Sequence, residues 1–165
     1  MKNVIKLLLL LVICIASTCG KKYDSENCHY AIKFSNNMAK DLRVRDEFLH
    51  PIHYPNSFNI EKLSYTARGE MYKVRSGEQD NRSAMGSRGC VENVFNRVDG
   101  FLDTVFVYIF DAAIIENTSW DIVARDYLVL KRYDLTLEDL QRLDWRVTYP
   151  PTEAMKDVKQ YPPYN

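Results

Sequence analysis

The strongest strand signal in this chain is the run Thr104-Val105-Phe106-Val107-Tyr108-Ile109-Phe110. β-Branched and aromatic residues favour strands, and this run does not alternate with polar residues. A strand that is apolar on both sides needs cover on both faces, so the run is predicted at the centre of a sheet. Ala112–Ile115 is predicted to extend the strand past Asp111.

Shorter strands are predicted where apolar residues alternate with polar ones or form short β-rich runs. They cover Tyr30–Phe34, Leu42–Arg45, Leu63–Ala67, Met71–Val74, Tyr127–Leu130 and, as the last strand, Trp145–Tyr149. The first two are predicted to form an antiparallel pair across a tight turn at Asn36-Asn37. Prolines predict a loop over His50–Asn59 and the end of the last strand at Pro150-Pro151.

Three short helices are also predicted. Cys90–Phe95 carries apolar residues at helical spacing. Thr118 with Asp121, and Thr136 with Asp139, have the spacing of a helix-capping pair. The apolar face of the last helix is formed by Leu137, Leu140 and Leu143.

Together these elements predict an α+β, mainly β fold, either an antiparallel sheet or a β-sandwich with two or three short helices. A βαβ crossover between Val105 and Leu130 is the alternative topology.

The N-terminal residues have the three parts of a signal peptide: the basic Lys2 and Lys6, the apolar run Leu7–Ala16, and small residues after it. The apolar run is too short to span a bilayer as a helix, which takes about 20 residues. A plain transmembrane anchor is therefore disfavoured.

A bacterial lipoprotein signal ends in a stretch of aliphatic and then small residues directly before a cysteine that receives the lipid. Cys19 fits this pattern better than Cys14, because the bulky Ile13 precedes Cys14. Residues 1–18 are predicted to be a cleaved lipoprotein signal peptide, and Cys19 is predicted to carry fatty acyl chains such as palmitate. An ordinary secretory leader is the alternative.

The remaining 147 residues are enough for one domain with its own core. Residues 19–27 are predicted to be a tether, residues 28–151 a mainly β globular domain, and residues 152–165 a C-terminal tail that is loose or lies along it. Without the leader the chain has 20 basic and 22 acidic residues, so its charge gives no case for binding nucleic acid or anionic lipid.

Cys28 and Cys90 are the two cysteines left once Cys14 is removed and Cys19 is acylated. In an exported compartment a pair of cysteines favours a disulfide, and two buried free thiols are the open alternative.

Several segments resemble a family of small, uncharacterised envelope lipoproteins from Bacteroides and related bacteria. The most specific is Tyr133-Asp134-Leu135-Thr136-Leu137-Glu138-Asp139-Leu140-Gln141-Arg142-Leu143, followed by Trp145 and Tyr149-Pro150-Pro151. Cys28–Asn37, Val105–Asp111 and Trp120-Asp121 are similar as well. The resemblance implies an exported, lipid-anchored, mainly β domain in a Gram-negative envelope, and it implies no activity and no site.

No set of residues indicates a catalytic, cofactor or metal site. His50 and His53 are too few for zinc, and Pro51 keeps them off one helical turn. Cys90 as a nucleophile is less favoured than a bridged or buried Cys90. Carboxylate pairs drawn from Asp111, Glu116, Asp121 and Asp126 are more simply interpreted as helix caps or solvated groups.

Other polar and aromatic residues have similar structural interpretations. The arginines of the last third are predicted to pair with nearby aspartates: Arg132, Arg142 and Arg146 with Asp134, Asp139 and Asp144. The eleven tyrosines could line a sugar or peptide groove, although strand packing is the simpler explanation.

The sequence therefore favours a lipid-anchored envelope lipoprotein, in the outer membrane on its periplasmic or surface face. It would act as a non-catalytic binding or structural module for an unknown protein or glycan. The alternatives are a hydrolase acting on envelope or dietary polymers and a glycan-binding accessory protein. A hydrolase requires a concave pocket with titrating side chains, and glycan binding requires coplanar exposed aromatic rings.

Overall fold

A computed structural model of the chain describes residues 28–47, 71–82, 85, 89–95 and 103–164. The leader, Cys19, the tether, the predicted loop at His50–Asn59 and the predicted strand at Leu63–Ala67 lie outside these residues. None of the helices within the described residues is both long and apolar enough to cross a bilayer.

The described residues form an α+β, mainly β fold, as predicted. The strands are β1 (Lys33–Asn36), β2 (Leu42–Glu47), β3 (Tyr72–Val74), β4 (Thr104–Asp111), β5 (Lys131–Thr136), β6 (Arg146–Tyr149) and β7 (Lys159–Tyr161). The helices are α1 (Glu92–Phe95), α2 (Ala112–Asn117), α3 (Trp120–Arg125) and α4 (Leu137–Arg142), with a 3-10 turn at Glu153–Met155. The main sheet has the order β3-β2-β4-β5-β7, and β1 and β6 form a second, parallel pair.

Strand β4 lies in the middle of the five-stranded sheet, which confirms the prediction from its apolar run. On one face, Val105, Val107 and Ile109 are fully buried in the larger hydrophobic cluster. That cluster also contains Phe34 and Val147, so the β1–β6 pair covers this face. The opposite face packs Tyr108 and Phe110 against residues of α2 and α3. Both faces are thus covered, which is why the strand can be apolar throughout.

The predicted pairing of the first two strands is wrong. β1 pairs in parallel with β6, whereas β2 pairs antiparallel with both β3 and β4. The connection between β1 and β2 is held by Asn36, whose Nδ2 donates to the backbone oxygens of Lys40 at 2.8 Å and Arg75 at 2.9 Å. Alternation of polar and apolar residues identifies a strand, but it does not identify the strand's partner.

The predicted extension of β4 beyond Asp111 is also wrong, because α2 begins at Ala112. Asp111 caps this helix: its Oδ1 accepts a hydrogen bond from the backbone N–H of Ala113 at 2.9 Å. Ala112 and Ile115 are buried and three residues apart, which is helical spacing.

The boundary between α2 and α3 differs by one residue from the predicted capping pair. Thr118 ends α2 as its C-cap, and Ser119 is the N-cap of α3. The helix predicted at this place is present.

The strand predicted at Tyr127–Leu130 lies instead at Lys131–Thr136, where every residue except the last is buried. The prediction missed this strand because it contains charged residues, whereas a strand that is buried on both faces normally has a continuous apolar sequence. β4 and β5 are antiparallel, so the alternative βαβ crossover between them is wrong.

The C-terminal segment lies along the domain, which was one of the two predicted alternatives. β6 is not the last strand, because β7 pairs antiparallel with β5 at the edge of the main sheet. Met155 and Val158 are buried in the larger hydrophobic cluster and hold this segment in place.

The predictions for α1 and α4 are confirmed. α1 lies within Cys90–Phe95. α4 begins with a complete capping box, in which the Thr136 side chain accepts from the Asp139 backbone N–H and the Asp139 side chain accepts from the Thr136 backbone N–H.

Candidate functional site

One end of the domain, which we call the disulfide end, is formed by Cys28, His29, Cys90, Glu92 and Trp145. Cys28 and Cys90 form a disulfide, with their Cα atoms 5.1 Å apart. Glu92 is 3% exposed, and its Oε2 accepts a hydrogen bond from the backbone N–H of His29 at 3.0 Å. The disulfide and the helix α1 therefore hold the first described residues of the chain together.

The His29 ring is held from two sides. Its Nδ1 lies 2.5 Å from Oε1 of Glu92, and the ring stacks on Trp145 with centroids 4.2 Å apart. Sequence reasoning offered the Cys28–Cys90 pair, but it missed the contacts of His29 with Glu92 and Trp145, because these residues lie 63 and more than a hundred positions further along the chain. Among the described residues the oxygen of Glu92 and the two cysteine sulfurs also lie within 4.8 Å of one another, but the sulfurs are consumed by the disulfide.

A second group of charged residues forms an open cleft of about 240 Å³, which we call the ion-pair cleft. Its charged lining residues are Lys40, Asp41, Lys73, Asp111 and Glu116. They come from the β1–β2 turn, from β3 and from the junction of β4 with α2.

The charges of the ion-pair cleft are paired with one another. Lys40 Nζ lies 2.7 Å from Asp111 Oδ2, and Lys73 Nζ lies 3.0 Å from Asp41 Oδ2 and 3.7 Å from Glu116 Oε1. Asp111 therefore has both a cation, Lys40, and the N-terminus of α2 as partners.

Hydrogen bonds and neighbouring charges move the pKa values of the carboxylates and of Lys73 in the cleft further from pH 7. The hydrogen bond from Lys40 holds the pKa of Asp111 below its ordinary value. The backbone N–H of Ser76 does the same for the pKa of Asp41, which in turn raises the pKa of Lys73. A general acid or base works best with a pKa near the operating pH, so these shifts run against proton transfer at neutral pH.

The most buried ion pair in the described residues joins Arg132 and Asp134 on β5. Their side chains are 10% and 2% exposed, and Nε and Nη2 of Arg132 donate to the two carboxylate oxygens at 2.7 and 2.9 Å. The guanidinium also lies over the Phe106 and Tyr161 rings, 5.5 and 4.5 Å from their centroids. Lys159 Nζ lies 3.2 Å from Asp134. These contacts attach β7 to the sheet, so their evident role is structural.

The other predicted arginine–aspartate pairs are present as well. Arg142 lies 2.8 Å from Asp139 and Arg146 lies 3.5 Å from Asp144.

Of the four carboxylates that the sequence singled out, Asp111 and Glu116 line the ion-pair cleft, whereas Asp121 and Asp126 do not. Glu116 accepts a hydrogen bond from Arg43 at 2.8 Å, and Asp126 pairs with Arg125 at the exposed end of α3. Asp121 is exposed in the first turn of α3. This arrangement fits the interpretation of these residues as caps and solvated groups.

Of the eight tyrosines in the described residues, two are buried, four are partly buried and two are exposed. Burial raises the pKa of Tyr108 to about 12, and Tyr133 is fully buried, with its hydroxyl donating to the Thr148 oxygen at 2.8 Å. The large exposed aromatic side chains of the described region are Tyr30 at 61% and Tyr72 at 42%. Tyr30 lies at the disulfide end, whereas Tyr72 lies on the edge strand β3.

Cys19, His50 and His53 lie outside the described residues, so the lipidation site stays a prediction. No protein-family model, curated protein or solved structure matches this chain, so its function is inferred from its own residues.

Proposed function

We propose that this chain is a bacterial envelope lipoprotein, anchored by lipid on Cys19, whose domain acts as a non-catalytic binding or structural module. The proposal starts from the leader, whose basic start, short apolar run and small residues precede Cys19. Several acyl chains on one residue hold a polar domain to a bilayer without any apolar patch of its own.

The observation that carries the proposal is the Cys28–Cys90 disulfide, which lies nine residues after Cys19. Disulfides persist in exported compartments and are rare in the reducing cytosol. The export predicted from the leader and the bond within the domain therefore agree, although they come from separate parts of the chain.

The non-catalytic part of the proposal rests on the charged groups of the described residues. Lys40, Lys73 and Arg43 pair with the three carboxylates of the ion-pair cleft. Hydrogen bonds lower the pKa values of these carboxylates below their ordinary range, so the carboxylates are ionised at neutral pH. Cys90 has no thiolate to offer while it is bonded to Cys28. The hydrolase alternative thus has no support from these groups.

Metabolic labelling with a fatty acid, followed by membrane fractionation, tests the anchor. We expect wild type to carry the label and to sediment with envelopes, and we expect Cys19→Ala to lose both properties. Cys14→Ala is the matched control, because it removes the other leader cysteine and should keep the label. Label that survives in Cys19→Ala, or that is lost in Cys14→Ala alone, would show that the anchor is assigned to the wrong residue.

A further inference from the structure

Cys28, the first described residue, is held firmly in the domain. The disulfide bonds this residue to Cys90, and the backbone N–H of Val91 donates to the oxygen of His29 at 2.7 Å. The stacking of His29 on Trp145 adds a third contact. The tether therefore cannot lengthen by local fraying of the first residues of the domain.

The predicted tether is too short for the domain to invert relative to the membrane. Nine residue steps separate Cys19 from Cys28, and a fully extended chain covers at most about 3.3–3.6 Å per residue, or about 30 Å. As a flexible coil, the same segment averages about 15–18 Å. A globular domain of this length is about 37 Å across, from its expected radius of gyration. The end opposite the disulfide therefore cannot reach a membrane in which Cys19 is anchored.

The ion-pair cleft lies at that opposite end. β1 leads from the disulfide end to Asn36, whose side chain bonds the backbone oxygens of Lys40 and Arg75. Lys40 and Asp41 then line the cleft. Strand β4 runs between the two ends: Asp111 at its C-terminus lines the cleft, whereas Thr104 at its N-terminus pairs with Thr136. Thr136 begins α4, and the backbone N–H of Trp145 donates to the oxygen of Leu140 in that helix, so Trp145 and the disulfide end lie at the other end of the sheet.

The disulfide end exposes an aromatic side chain suited to a bilayer surface. Tyr30 is 61% exposed, more than any other large apolar side chain among the described residues, and it lies two residues after Cys28. The neighbouring His29 side chain is 44% exposed. Tyrosine is enriched at membrane interfaces, where its ring enters the headgroup layer and its hydroxyl stays in contact with water.

We infer that the disulfide end contacts the lipid surface, with Tyr30 in the headgroup layer and the ion-pair cleft pointing away from the membrane. This contact rests on the proposed lipid anchor at Cys19. In this orientation the ion-pair cleft faces away from the membrane and is accessible to a binding partner.

Quenching by brominated lipids tests the contact directly. The acylated full-length chain is purified from envelopes as Tyr30→Trp and, separately, as Tyr72→Trp. Each variant is reconstituted into vesicles of phosphatidylethanolamine and phosphatidylglycerol, with or without bromine on the acyl chains. Tyr72 is the matched control, since it is another exposed tyrosine but lies on β3, away from the disulfide end. Trp120 and Trp145 contribute the same background to both variants.

We expect bromination to reduce the added fluorescence several-fold more for Tyr30→Trp than for Tyr72→Trp. Equal quenching of the two variants, in chains that float with the vesicles, would overturn the contact but leave the anchor intact. Chains that carry no lipid and do not float would overturn the anchor, and the contact with it. Shielding of the Tyr30→Trp side chain from iodide in intact envelopes, without quenching by brominated lipid, would assign this end to a protein or glycan partner instead.

Discussion

Removal of the Cys28–Cys90 disulfide should cost this domain a large part of its stability. The double substitution Cys28→Ser/Cys90→Ser opens a loop closed across a sequence separation of 62 residues. In the chain-entropy description, a loop of this length restricts the unfolded chain by about 4 kcal/mol. Domains of this size are commonly stable by only about 5–15 kcal/mol, so the variant should be much closer to unfolding.

Urea unfolding followed by circular dichroism measures this effect. With a urea dependence of about 2 kcal/mol per molar, the midpoint should fall by about 2 M. Dithiothreitol should bring wild type to the midpoint of the double variant and should not change the variant itself. Wild-type and variant midpoints that agree within error would refute the reasoning, since the bond would then not restrict the unfolded chain.

Three further substitutions test other parts of the domain. Asp134→Asn leaves the buried Arg132 without its carboxylate and should cost about 3–5 kcal/mol in urea unfolding, so a loss below 1 kcal/mol would contradict the buried pair. Asp111→Asn should destabilise the protein at pH 7, because the hydrogen bond from Lys40 lowers the pKa of Asp111 in the folded state below the ordinary value of an aspartate. The stability that ionised Asp111 contributes is present above the pKa of the unfolded state and is lost as the pH falls through the pKa of the folded state. The unfolding free energies of wild type and variant should therefore converge in acid. A difference that stays constant with pH would refute the role given to the Lys40–Asp111 pair. Thr136→Ala removes the capping box of α4 and should cost about 1 kcal/mol, whereas Thr136→Ser should retain most of it.

Local sequence patterns were sufficient to predict the strands and helices that are specified by residues close together in the chain. The β-branched and aromatic run of β4 needs cover on both faces wherever it lies, so its central place follows from its composition. The capping box at Thr136 and Asp139 is likewise a contact across three residues, and the helix begins where the pattern predicted.

Partners distant in sequence could not be predicted in this way. β1 could equally have paired with β2, but it pairs with β6, more than a hundred residues later. The alternation of polar and apolar residues in a strand specifies which side chains face inward. Which neighbouring strand it pairs with is decided only when the whole chain packs.

From its residues alone, this chain determined a central apolar strand, short capped helices and a mainly β class, because each depends on neighbours within a few positions. Tertiary structure alone decided that His29 meets Glu92 and Trp145, and that the charges of the ion-pair cleft meet. Those contacts join residues brought together by the pairing of distant strands, and the pairing is selected by burial of the shared core rather than by any local preference.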